Sequence, residues 1–126
     1  MGTITPYEYY MEAFENYKKN KKFMWNGVYE KAEDSPFICP RVYCNDGFSF
    51  SMQASKFHYS IPAVAGYSYY SAMEIGYPSD PEPLLEPYVD RFHYSDYYHP
   101  NVYPFVGYKT IEQIVEKHGG IRIKEK

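Results

Sequence analysis

Apolar residues at Tyr7, Tyr10, Met11, Phe14 and Tyr17 recur at the spacing of an amphipathic helix. Thr5-Pro6-Tyr7-Glu8 supplies its start: Thr5 as N-cap, Pro6 at the first helical position and Glu8 reaching back to complete a capping box. The pattern predicts a helix from Pro6 to Asn20, ending in the run Lys18-Lys19-Asn20-Lys21-Lys22, whose cations complement the negative end of the helix dipole. A second helix is expected near the other end. Thr110-Ile111-Glu112-Gln113 repeats the capping-box spacing, Ile111, Ile114, Val115 and His118 form the buried face, and Gly119-Gly120 stops it.

Between the helices the period changes from helical to two. Arg41-Val42-Tyr43-Cys44, Asn45-Asp46-Gly47 and Phe48-Ser49-Phe50-Ser51-Met52-Gln53 read as strand, turn and strand, because Asp-Gly favours a tight hairpin. Phe48, Phe50 and Met52 predict a core face, and Ser49, Ser51 and Gln53 a small polar face open to solvent or a ligand. Met73, Ile75 and Tyr77 alternate in a further strand, Phe23 to Tyr29 is a weaker one before the loop Glu33-Asp34-Ser35-Pro36, and Val102 to Tyr108 is an edge strand because Pro104 lacks a ladder donor. Residues 54–70 carry no clean period and read as a long loop. Pro78, Pro81, Pro83 and Pro87 argue against regular structure across that stretch, and Ile121 to Lys126 is a short strand or a fraying tail. The order predicts one α+β domain over 1–126, an antiparallel sheet of about four or five strands with an N-terminal and a C-terminal helix packed on it.

Composition narrows the function classes. The chain has 126 residues, a net charge of −3 and 44% hydrophobic residues, enough for a core and too acidic for a general nucleic-acid binder. No apolar run is long enough to span a membrane and the first residues lack the pattern of a signal peptide, so a cytoplasmic location is expected. Aromatic residues make up 21%, with 17 Tyr, and that much tyrosine places hydroxyl-bearing rings at surfaces and interfaces. Between Glu74 and Asn101 six acidic residues stand against Arg91 alone, which concentrates the negative charge there.

Candidate chemistry favours binding over turnover. Cys39 and Cys44 have C-x4-C spacing that would need further ligands such as His93 and His99, and this is not a zinc signature. His58, Asp90, His93, Asp96 and His99 could form a metal or acid–base cluster, but in such tyrosine-rich surroundings they read as surface histidines and carboxylates. Ser60 and Cys44 lack the context of an activated nucleophile, and no P-loop or dinucleotide fingerprint occurs, so no catalytic residue, metal or cofactor is assigned. Tyr88, Asp90, Tyr94, Asp96, Tyr97 and Tyr98 combine charge with aromatic anchors and are the expected partner-binding stretch. Lys22, Arg41 and Arg91, with stacking tyrosines, are the alternative set for a nucleotide.

The segments Phe48 to Ser55, His58-Tyr59-Ser60, Met73 to Ser79, Glu82-Pro83-Leu84-Leu85 and Ile114 to Ile121 resemble a set of small phage and prophage proteins across the C-terminal two-thirds of the chain. In that pattern the loop after His-Tyr looks like Cys-Ser-Pro-Arg, whereas Ser60-Ile61-Pro62-Ala63 stands here, so its arginine is absent. The resemblance implies a phage accessory protein of the bacterial cytoplasm. By analogy of context, such a protein is expected to counter host defence by stoichiometric binding, first of all as an anti-CRISPR inhibitor of a CRISPR effector nuclease. A sponge for a cyclic nucleotide signal and a self-assembling structural protein, a homo-oligomer, are the alternatives.

Overall fold

A computed structural model describes residues 4–19, 37–67, 69–88 and 101–123. Helix α1 spans Pro6–Lys19, and the strands are β1 (Val42–Tyr43), β2 (Ser49–Gln53), β3 (Ala72–Gly76) and β4 (Val102–Gly107), with α2 at Tyr108–Lys117. The four strands form one antiparallel sheet in the order β1-β2-β3-β4, and the antiparallel arrangement is the one expected from the succession of helix, strands and helix. With helices at both ends of the chain, the fold is α+β. The strand expected over Phe23 to Tyr29, and the loop after it, lie outside the described residues.

The start of α1 follows from four residues. Thr5 Oγ1 accepts the Glu8 amide at 3.0 Å and Glu8 Oε1 accepts the Thr5 amide at 2.9 Å, so the predicted capping box closes in both directions. Tyr10 on this helix is fully buried with Phe50, Met52, Met73, Ile75, Val106, Ile111 and Ile114 in one continuous core. The second capping box does not form. Strand β4 runs directly into α2, Gly107 occupies the N-cap with no side-chain bond, and Thr110 Oγ1 instead lies 3.0 Å from the Tyr88 hydroxyl. The C-terminus of α2 stops as expected, with Gly119 and Gly120 at φ 86° and 89°, a region costly for residues bearing a Cβ.

Three further expectations are revised. Ser49 and Gln53 are not an open polar face: both are buried, and the Gln53 amide clamps Cys39 by accepting its N–H and donating to its carbonyl, each at 2.8 Å. Tyr77 falls outside β3, exposed at φ 49°. The proline segment is not wholly irregular, because a 3-10 helix occupies Pro83–Tyr88. Its first turn is held by Glu82, whose carboxylate accepts the Leu84 amide and whose carbonyl accepts that of Leu85, and Leu85 is buried beneath it.

The loop over 54–70 is fixed to α1 by tyrosine hydroxyls. Tyr10 donates to the Ala54 carbonyl at 2.6 Å and accepts the Gly66 amide at 3.1 Å, while Tyr70 donates to the Val64 carbonyl and accepts the Tyr67 amide. Gly66 is required where it sits: at φ 72°, an added Cβ would lie 2.3 Å from the Phe14 ring. Irregular backbone thus has its hydrogen bonds supplied by side chains rather than by a ladder.

Candidate functional site

The register of β3 on β4 creates the first feature. Met73 pairs with Val106 and Ile75 with Tyr103, so Pro104 and Phe105 together stand opposite Glu74, two residues against one. Pro104 has no amide to donate, which makes this the natural place for the ladder to bulge. The bulge leaves Phe105 at φ 54° with its ring 45% exposed. A bulky residue in the left-handed region is strained by about 1–2 kcal/mol, and such strain is concentrated at functional sites.

Residues of the 54–70 loop complete the surface. The Phe105 amide donates to the Tyr59 carbonyl at 3.1 Å, the Tyr59 amide donates to Glu74 Oε2 at 3.0 Å, and the two rings meet with centroids 5.6 Å apart. Phe57, with the Lys56 ammonium over its ring, and Ile61 are also more than half exposed or at that level. Beneath them, Ser55 Oγ accepts the Phe57 amide and shares a hydrogen bond of 2.6 Å with His58 Nδ1. Burial holds the His58 imidazole below its ordinary pKa, opposed by Glu74. The pair resembles an activated hydroxyl, but Ser55 is buried at 3% exposure and its contacts are those of a turn cap.

A second polar cluster lies at the hairpin turn. His118 donates from Nδ1 to Asp46 Oδ2 at 2.6 Å and from Nε2 to Glu82 Oε1 at 2.7 Å, which requires the imidazolium form. Its ring stacks on Phe48 at 4.0 Å. The Glu82 side chain has no exposure and also receives Lys117 Nζ at 2.9 Å. Burial pushes the Glu82 carboxyl up, but the Leu84 amide, Lys117 and His118 outweigh it and hold it below the usual range; burial pulls His118 down, but the Glu82 and Asp46 carboxylates prevail and raise it. The Phe48 amide and then His118 lower Asp46. This network ties the hairpin, the proline segment and α2 together, each carboxylate oxygen of Asp46 and Glu82 accepting at least one hydrogen bond.

Of the residues singled out by sequence, Asp90, Tyr94, Asp96, Tyr97, Tyr98, Lys22, Arg91, His93 and His99 lie outside the described residues. Tyr88 is half-buried against the core with its hydroxyl on Thr110, so its ring is a packing element. Glu82 belongs to the interior rather than to an acidic surface. Arg41 directs its guanidinium to Ser49 Oγ at 2.9 Å and to the Ser49 and Tyr77 carbonyls, fixing the segment after β3. It shares a cleft of about 760 Å³ with Tyr9, Tyr17, Tyr43 and Arg122, the last lying over the Tyr43 ring. Cys39 and Cys44 are free and buried, and burial raises both thiols to about 12 and about 11, far from reactive thiolates. Among the described residues no three potential metal ligands converge, and no helix is long and apolar enough to cross a membrane.

Tyr59 and Phe105 escaped sequence reasoning because their neighbours are distant in the chain; Pro104 beside an aromatic in a strand was the one available signal. No known family, curated protein or solved structure matches the chain.

Proposed function

We propose that the chain acts by stoichiometric binding of a partner protein, with Tyr59, Phe105 and their aromatic neighbours as the contact surface. The observation that carries this reading is Phe105: a large ring exposed on a strained backbone, where glycine would cost less. Exposed rings on rigid supports give contact area at low entropy cost, and aromatic anchors dominate binding energy at protein interfaces. The resemblance to phage and prophage proteins directs the choice of partner to host defence, first a CRISPR effector nuclease. On the same reading the acidic stretch that carries Asp90 and Asp96 in the sequence would add charge complementary to a basic nucleic-acid groove.

The test is inhibition of purified effector nuclease by an equimolar amount of the chain, with Tyr59→Ser/Phe105→Ser as comparison. Inhibition that saturates at one chain per complex and falls at least tenfold in the double variant supports the reading. Unaltered nuclease activity would remove the CRISPR effector as partner, and inhibition unchanged in the double variant would remove the surface.

A second reading, a sponge for a nucleotide signal, is favoured by the cleft that brings Arg41 and Arg122 together with Tyr9, Tyr17 and Tyr43. It predicts phosphate-dependent binding lost in Arg122→Gln, independent of Tyr59 and Phe105.

A further inference from the structure

We propose that Tyr7, Tyr69, Tyr70 and Tyr108 form a cage for an alkylated ammonium cation, separate from the Tyr59 and Phe105 surface and independent of its function. These four residues and Thr5 line a cavity of about 220 Å³, below the range of roughly 300–1,000 Å³ typical of drug-sized ligands and suited to a small headgroup. Four tyrosines from three parts of the chain converge there: the first turn of α1, the end of the 54–70 loop and the first residue of α2. Tyr7 and Tyr69 are parallel within 4°, with centroids 6.4 Å apart, although Tyr69 is 84% exposed.

The polar atoms at this site are largely engaged elsewhere, which decides the ligand class. The Tyr108 hydroxyl accepts the Tyr7 amide at 3.0 Å, and the Tyr70 hydroxyl serves the Val64 carbonyl and the Tyr67 amide. The cavity is therefore lined by aromatic rings, two of them the parallel pair Tyr7 and Tyr69, more than by free hydrogen-bonding groups. Two helix N-termini border it, an arrangement that would ordinarily attract an anion. Here the α1 terminus is closed by Thr5 and Glu8, and the Tyr108 amide is bonded to the Ser71 carbonyl at 3.1 Å.

Charge complements a cation. The Glu8 carboxylate is 2.9 Å from the amide of Thr5, a lining residue, and Glu112 lies one turn beyond Tyr108 on the same helix face. Burial raises the Tyr108 hydroxyl pKa, and Glu112 and Glu8 add to the rise against the hydrogen bonds from Tyr7 and Thr5. Lys109 is the opposing charge beside Tyr108 in sequence, and it is exposed. Aromatic faces with nearby carboxylates recognise ammonium groups by cation–π attraction.

The experiment titrates the full chain with choline and with its neutral isostere 3,3-dimethylbutan-1-ol, following tyrosine ring shifts by NMR. A saturable shift with choline, and affinity for the alcohol at least tenfold lower, is expected from roughly 1.4 kcal/mol of cation–π preference. Tyr69→Leu should weaken choline at least fivefold while Tyr69→Phe retains it. Because Tyr69 is exposed, an unchanged melting temperature in both variants separates ligand loss from unfolding. Choline measured against Nε-trimethyl-lysine then identifies a free headgroup or a modified side chain as the source, either preference supporting the cage. Equal binding of choline and the alcohol, no saturable shift, or wild-type affinity in Tyr69→Leu would overturn it.

Discussion

The hairpin end and the bulge end of this sheet invert the usual placement of residues. Around His118 charged groups are drawn inside, with the Glu82 carboxylate fully buried and each charge answered by another. Around Phe105 large rings are exposed, and the backbone of Phe105 itself lies in the left-handed region. The first region leaves none of its buried side-chain polar atoms without a partner and works as a fastening between segments. The second leaves aromatic rings uncovered, and these are the groups assigned to contact in the proposed function.

The largest effect should come from breaking the fastening. Removing one partner of a buried pair costs about 3–5 kcal/mol, so Glu82→Ala is expected to lower unfolding free energy by about 3 kcal/mol, Lys117 being half exposed. Denaturant titration measures this, and a loss under 1 kcal/mol would show that the cluster contributes little. The same network predicts a pH optimum. The raised His118 contributes stability that is complete below its ordinary pKa of 6.5 and is lost as pH rises through its higher folded value. The lowered Glu82 and Asp46 contribute stability present above their ordinary values of 4.5 and 3.8 and lost as pH falls through their folded ones. Thermal stability should therefore peak between those limits, in mild acid, and His118→Gln should flatten the decline on the alkaline side; melting curves across pH that retain the decline would reject this assignment.

At the bulge the expected signs differ. Phe105→Gly removes the left-handed strain and should leave stability unchanged or raise it by up to about 1 kcal/mol, whereas truncation of a packed core Phe costs about 3–5 kcal/mol. A loss above 1 kcal/mol would mean that the ring is a packing element. The smallest change belongs to Tyr59→Ser, expected within about 0.5 kcal/mol of the parent in the same assay while partner binding falls.

Sequence reasoning worked where the interaction partners are near in the chain. The Thr5 and Glu8 box forms because its members lie within one helical turn. The similar spacing at Thr110 fails because β4 enters α2 directly, leaving Gly107 at the cap and Thr110 facing Tyr88. Glu82 looks no different from Asp80 or Glu86 in the sequence, yet it is the one buried among His118, Lys117 and the Leu84 amide. Gln53 alternates like a solvent-facing residue and is closed over by Cys39.

The amino-acid sequence by itself determined both helices, the hairpin and the apolar alternation that sets the core face, because periodicity and turn chemistry are local. Only the tertiary structure decided which carboxylates are buried, which rings remain exposed and which four tyrosines meet. Those outcomes depend on contacts between distant segments, where the identity of a residue does not reveal its neighbour.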